Sequence, residues 1–272
     1  MEIQNLSKEE RHRVILKHLS KRNFIKVKDL SEKLGVSMET IRQDLSYLES
    51  ELKLRKVHGG AMLMKEPGLE LYFSKRVCHN AAAKNAMAQK SVEFVTTGDT
   101  IGIGSGTTLL QMANLLETVK GITVVTSSIP VLNRLAEFKQ LGNFDGEIYF
   151  IGGKVNVNLL STSGSLTEKM FRDVYLDKCF FSCDALSPEG IFAHSSNEAL
   201  LTQLYLKHAS KAILLVDSSK MNQQNFIKIA NWSKIDTVIT DGKCSKKYEE
   251  IVQEFGVEWV EVRKPKIEQH FA

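Results

Sequence analysis

Val36-Ser37-Met38-Glu39-Thr40-Ile41-Arg42-Gln43-Asp44-Leu45, continued to Leu48, is the stretch that decides how the first quarter of this chain folds. Ser37 is a helix N-cap, because its hydroxyl can accept from an amide of the first turn. Ile41, Leu45 and Leu48 then recur at i, i+4 and i+7, which puts them on one apolar face. The opposite face carries Met38, Glu39, Arg42, Gln43 and Ser46. Upstream, Gly35 ends a preceding helix over 27–34, since glycine takes the left-handed C-cap at little cost. Val27, Leu30 and Leu34 form that helix's apolar side. Further back, Ser7-Lys8-Glu9-Glu10 has capping-box spacing, and Val14, Ile15, Leu16 and Leu19 predict a helix over 8–19. Two helices joined by a short glycine-containing turn, with a third packed beneath, have the spacing of a helix-turn-helix. Arg42 and Gln43 are the side chains able to make paired hydrogen bonds to base edges. Asp44 is the exception on this helix. A carboxylate facing phosphate would be repelled, so it is expected to be a structural partner for an arginine.

Downstream, Leu52, Leu54 and Val57 predict a strand, Gly59-Gly60 a turn, and Ala61 to Leu63 the return strand. A basic hairpin after a recognition helix is a wing. Arg55, Lys56 and His58, with Ser37 and Thr40, are expected on the DNA backbone, where contacts position and do not specify. The charge distribution agrees. Residues 1–65 hold 14 basic and 9 acidic residues, while 66–272 hold 22 and 23, so the net +4 of the chain lies entirely in its first quarter. A basic module on a neutral body points to a polyanionic partner for that module. A small helical bundle that binds protein has the same periodicity, but it does not call for the basic hairpin.

The whole chain has 272 residues, with 43% hydrophobic and 25% charged. That is ordinary globular usage and excludes wholesale disorder and fibrous repeats. No apolar run reaches the roughly 18 residues of a membrane span. The charged stretch Met1 to Arg22 does not have the pattern of a signal peptide, so a soluble cytoplasmic protein is expected. Cys78, Cys179, Cys183 and Cys244 form no CxxC pair, so neither a metal nor a cofactor is expected.

Met64-Lys65-Glu66-Pro67-Gly68 breaks helix and strand alike and suggests a linker over 65–75 between a domain at 1–64 and one at 76–272. From residue 76 the pattern alternates. A helical stretch over 76–95 precedes strands at 100–103, 122–126, 147–151, 178–183, 212–216, 237–240 and 257–262. Helices are expected from 107 to 116, near 130–135 and near 245–255. Continuous apolar strands separated by helices predict an α/β domain with a mainly parallel sheet covered on both faces. Ligands of such sheets sit beyond the carboxyl ends of the strands. Gly104, Ser105, Gly106, Thr107 and Thr108 make a strand-to-helix turn able to cradle phosphate. Ser127, Gly153, Lys154, Asp184 and Lys220 also follow strands. Together they supply hydroxyls, a carboxylate and lysines, the mixture a phosphorylated polyol requires.

With these residues in view, the chain resembles the DeoR family of bacterial transcriptional regulators. The likeness rests on Val36 to Leu45, on Arg55-Lys56-Val57-His58-Gly59-Gly60-Ala61, on Val125 to Ser128, Ile151-Gly152-Gly153 and Asp217-Ser218-Ser219-Lys220, and on Ile235 to Asp241. The resemblance implies a winged helix-turn-helix that binds double-stranded operator DNA. It also implies an effector domain, similar in fold to ribose-5-phosphate isomerase, that senses a phosphorylated sugar. A homo-oligomer, dimer or tetramer, and a repressor of a carbohydrate-utilisation operon are the expected form and role. Three positions depart from the family pattern. Gln43 stands where arginine is usual, Gly104 where aspartate is usual, and Ser182-Cys183-Asp184-Ala185 where Gly-Ala-Asp-Gly is usual. The alternative is a sugar-phosphate isomerase with an appended DNA-binding module. Isomerisation needs a base and enediolate-stabilising groups. Glu198 is the available carboxylate in the pocket, but the similar isomerase motif has lost an aspartate, a glutamate and a lysine here. His194 is expected as a pocket or surface group, and no enzyme activity is expected.

Overall fold

A computed structural model describes residues 6–22, 24–51, 53–57, 59–63 and 73–263. Contacts divide the chain into two units, Met1–Leu69 and Glu70–Ala272. Most of the expected linker, residues 65–72, lies outside the described residues, as do Leu52 and His58.

The first unit runs α1 (Lys8–Arg22), β1 (Phe24–Lys26), α2 (Val27–Leu34), α3 (Met38–Ser50), β2 (Leu54–Val57) and β3 (Gly60–Leu63). The capping box forms as its spacing predicts: the Ser7 amide donates to Glu10 Oε2 at 2.9 Å and the Glu10 amide to Ser7 Oγ at 3.3 Å. Gly35, at φ 64°, ends α2, and the Ser37 hydroxyl accepts from the Thr40 amide at the start of α3. Ile15, Leu19, Leu30, Leu34, Ile41, Leu45 and Leu48 meet in one core. The helix predicted to end at Leu19 continues to Arg22. The hairpin is also not alone. β1 pairs antiparallel with β3, making a three-stranded sheet in the order β1-β3-β2. β1 is only three residues long, too short for alternation to mark it.

The second unit runs α4 (Phe73–Cys78), α5 (Ala81–Val92), β4 (Thr100–Ile103), α6 (Thr107–Ala113), β5 (Thr123–Thr126), α7 (Ile129–Gln140), β6 (Glu147–Phe150), β7 (Lys154–Asn156), β8 (Ser161–Ser163), α8 (Ser165–Phe171), β9 (Leu176–Phe181), β10 (Ala185–Ser187), β11 (Gly190–Ala193), α9 (Ser196–His208), β12 (Ala209–Leu215), β13 (Ile227–Ala230), β14 (Thr237–Thr240), α10 (Lys246–Phe255) and β15 (Glu258–Glu261). Seven strands form one sheet in the order β15-β14-β12-β9-β4-β5-β6. Every pair in it is parallel. Separate buried clusters pack in this unit, one including Phe171, Phe181 and Tyr248, the other including Met87, Leu109 and Phe144. No described helix is long and apolar enough to cross a membrane.

Several local expectations are corrected. The helical stretch at 76–95 is two helices, broken at Asn80, which adopts φ 52° and accepts that left-handed geometry more readily than most residues. α6 stops at Ala113, three residues short of the expected Leu116, and is only two turns long. The hairpin β7-β8, the small sheet β10-β11-β13 and helices α8 and α9 had no counterpart in the sequence expectations.

The sheet order fixes where a ligand can sit. The chain starts at β4, moves outward through β5 and β6, then returns to lay β9 on β4's other side. Successive connections leave β4 and β9 in opposite directions, so a crevice opens beyond their carboxyl ends. Gly104 follows β4 and Ser182 follows β9. The Gly104 amide donates to the Phe180 carbonyl at 3.0 Å, joining the two strand ends.

Candidate DNA interface and candidate sensor site

On α3 the apolar side is buried, while Met38, Glu39, Arg42, Gln43 and Ser46 are exposed on one strip. Arg42 Nη1 lies 3.1 Å from Glu39 Oε2, an exposed pair one turn apart. Such a pair contributes little stability, so Arg42 can leave it for another acceptor. Ser37 and Thr40 hydroxyls lie 2.9 Å apart within the cap. Lys56 of the hairpin reaches back: its Nζ donates to Ser46 Oγ at 2.7 Å and its amide to Glu49 Oε1 at 2.8 Å. The hairpin is thereby tied to the exposed strip of α3. A groove of about 490 Å³ runs between them, with Lys28, Met38, Arg42, Lys56 and Gly59 on its walls. His58 lies outside the described residues, as does the side chain of Arg55.

Asp44 is not on the exposed strip. It is 2% exposed and accepts from Arg11 Nε at 2.8 Å and from Arg11 Nη2 at 3.1 Å. His12 Nε2 lies 3.0 Å from Oδ1, the same oxygen that takes Arg11 Nη2, and the His12 ring stacks on Tyr47 at 4.9 Å. The arginine partner expected for Asp44 is therefore found, on α1, with a histidine beside it.

In the second unit, charged groups gather at the β4–β9 crevice. Asp184, just past β9, accepts from the His194 amide at 2.9 Å, and Arg76 Nη2 stands 3.9 Å from its other oxygen. Burial works against the Asp184 charge, but Lys220, Arg76 and the His194 amide outweigh it and hold this carboxyl below its usual range. Glu198, one turn into α9, moves the other way. Burial and the neighbouring Asp184 carboxylate push it up to about 8. Lys220 Nζ donates to the Cys183 carbonyl at 2.6 Å. Lys84 is 4% exposed and donates to the Arg76 carbonyl, and burial with the nearby Lys220 lowers it to about 8. Asp217 accepts from Asn80 Nδ2 at 2.9 Å and from Ser219. Burial opposes its charge too, yet Lys220 and these donors keep it below the usual range.

Asp184, Glu198 and Lys220, singled out in the sequence, thus stand together. Gly104 to Thr108 lies at the same strand ends, with Thr107 Oγ1 reaching the Arg76 carbonyl at 3.4 Å. Ser127 is fully buried, and its hydroxyl accepts from the Tyr205 OH at 3.2 Å, so it serves the core. Gly153 and Lys154 follow β6 at the sheet edge. β6 is three strand positions from β9 in the sheet, and Lys154 opens the β7–β8 hairpin. Arg76, Asn80 and Lys84 join the cluster, although the sequence did not single them out. They come from α4, α5 and the turn between, where a basic residue on a helix carries no signal of its own. Among the described residues no His, Cys, Asp and Glu group is arranged to hold a metal ion.

A winged helix-turn-helix, followed by a parallel α/β unit with a charged cluster at its topological switch point, defines a DNA-binding regulator with a sensor domain. Family models agree. One described as a DeoR-like helix-turn-helix domain matches residues 11–66, and one described as the DeoR C terminal sensor domain matches residues 79–242. The chain belongs to the DeoR family of transcriptional regulators. It is 32% identical over 249 residues to the HTH-type transcriptional regulator GolR of Listeria innocua, covering 91% of this chain and 96% of that one. It is 31% identical over 251 residues to the lactose phosphotransferase system repressor of Streptococcus mutans, covering 90% and 97%. These relatives are named as regulators and repressors, not enzymes. Among solved structures, a ribose-5-phosphate isomerase in complex with phospho-erythronic acid aligns at 17% identity and TM-score 0.38, over 51% of this chain and 52% of that one. The isomerase of Neisseria gonorrhoeae aligns at 21% and 0.36. The chain spans about half the length of these isomerase chains.

Proposed function

We propose that this chain is a cytoplasmic repressor of a carbohydrate-utilisation operon, released from its operator by a phosphorylated sugar. The observation that carries the effector class is the charge count at the crevice. Arg76, Lys84 and Lys220 supply three cations there. Asp184 and Asp217 supply two carboxylates, while Glu198, raised to about 8, is neutral at pH 7. An excess of positive charge beside hydrogen-bond acceptors suits a ligand with a phosphate at one end and hydroxyls at the other. The name of the Streptococcus mutans relative, a lactose phosphotransferase system repressor, is in keeping with this reading.

Operator contact is assigned to Arg42 and Gln43 for bases, and to Ser37, Thr40, Arg55, Lys56 and His58 for the backbone. Residues 65–75 are taken as the linker between reader and sensor. The effector must bind the DNA-incompetent arrangement better than the competent one, or it shifts nothing. A 100-fold release needs about 2.7 kcal/mol of differential affinity, within the usual coupling range. The test is anisotropy of labelled DNA from the gene's upstream region, at fixed salt, with and without a panel of hexose and pentose phosphates. Tight binding lost with one phosphate supports the reading, and tight binding indifferent to all of them removes the sensor. Lys220→Ala is expected to keep operator binding and lose the response. A normal response in that variant takes Lys220 out of the site.

A further inference from the structure

His194 lies where β11 passes into α9, beside the crevice, and none of the roles assigned so far uses its ring. Its backbone amide is committed to Asp184. Its ring Nδ1 lies 3.0 Å from Asn225 Oδ1. That contact alone leaves the tautomer open, because either ring nitrogen of a neutral imidazole can carry the proton. Asn225 closes the question. The same Oδ1 accepts from the Phe226 backbone amide at 2.9 Å, and a backbone amide can only donate. The atom facing Nδ1 is therefore the acceptor end of the Asn225 side chain, so Nδ1 carries the hydrogen. The neutral ring is left with a bare lone pair on Nε2. No group among the described residues is hydrogen-bonded to Nε2, and the ring is half-buried.

Resting on the sensor reading above, we propose that His194 is a specificity-determining residue of this site, its Nε2 accepting a hydrogen bond from a hydroxyl of the bound phosphate ester. Asp184 is joined to the same residue, its Oδ2 taking the His194 amide. An acceptor at Nε2 selects a hydroxyl donor, so the ligand class is a phosphate ester that also carries hydroxyls, as in a polyol or sugar phosphate. A ligand presenting a carbonyl or carboxylate at that place sets lone pair against lone pair and is disfavoured. The phosphate end is held by the cations of the crevice and does not depend on His194.

Two measurements on the full chain test this. Long-range proton–nitrogen NMR of the imidazole reports which nitrogen is protonated. The expected result is hydrogen on Nδ1 in the natural chain and loss of that preference in Asn225→Ala. Hydrogen on Nε2 in the natural chain overturns the assignment. Calorimetric titration then uses inorganic phosphate, propyl phosphate, and hexose and pentose phosphates with their deoxy counterparts. His194→Ala keeps the backbone amide that serves Asp184, so the site stays built. It is expected to bind inorganic and propyl phosphate as the natural chain does, and to bind the preferred sugar phosphate about tenfold more weakly. Unchanged affinity and ranking across the panel overturns the role of His194 and leaves the sensor standing. A natural chain that binds no member of the panel overturns both.

Discussion

Asp44 is a carboxylate on the helix assigned above to operator contact, and the fold buries it between Arg11 and His12. Breaking a buried ion pair from one side leaves the other charge uncompensated. Asp44→Ala is therefore expected to lose about 3–5 kcal/mol in the first unit, read as an earlier urea transition by circular dichroism. Arg42→Ala touches nothing buried. It should leave the urea transition in place, relax preference at one operator position and weaken operator binding by about 1–3 kcal/mol in anisotropy titrations. Glu198 gives a pH test. Its ordinary value is 4.5 and its folded value about 8, so between these the folded chain keeps a proton that the unfolded chain has released. Stability contributed by Glu198 is then complete below about pH 4.5 and is lost as pH rises towards 8. Lys84, lowered to about 8, acts in the opposite sense only above that pH. The urea midpoint of the natural chain should fall from pH 5 to pH 8, and Glu198→Gln should flatten the fall. At this scale the sequence was legible where a residue type has one job: a cap at Ser37, a misplaced charge at Asp44. Lys84 and Arg76 were not, because a lysine on a helix is ordinary until its burial is known.

The elements of the first unit were legible because three amphipathic helices state their period over several turns. β1 escaped notice at three residues, yet it explains the paired glycines of the wing. Gly59 adopts φ 78°, which a side chain would strain. Gly60 lies so close to β1 that a Cβ would stand 2.2 Å from the Ile25 carbonyl oxygen. Gly60→Ala should therefore cost about 1–3 kcal/mol of stability in the first unit. Gly104 makes the contrast, since a Cβ there meets nothing nearer than 3.4 Å. Gly104→Ala is expected to leave the melting temperature within a degree or so. Equal losses from both variants would mean that the close approach of β1 is wrong. In the second unit the long apolar strands of the parallel sheet announced themselves. The three-residue strands β7, β8 and β10 did not, because period two cannot be established over three positions.

At the scale of the whole molecule, the sequence was legible in its order of parts, a basic reader before a neutral α/β body. Which strand ends converge was not, because strand order is a property of long-range pairing that periodicity does not encode. β9 joins β4 only after four intervening strands, β5 and β6 of the seven-stranded sheet and β7 and β8 of the hairpin, have been laid elsewhere. The first unit, by contrast, pairs everything it needs within residues 6–63. That contrast has a consequence for the chain as it is made. Local pairings close early and distant ones late. Synthesis proceeds at roughly 5–20 residues per second, so the remaining two hundred or so residues occupy roughly 10–40 s after the reader has emerged. During that interval the nascent chain holds a complete helix-turn-helix unit and an incomplete sensor domain. A ribosome stalled inside the second unit would thus present the helix-turn-helix without its sensor domain.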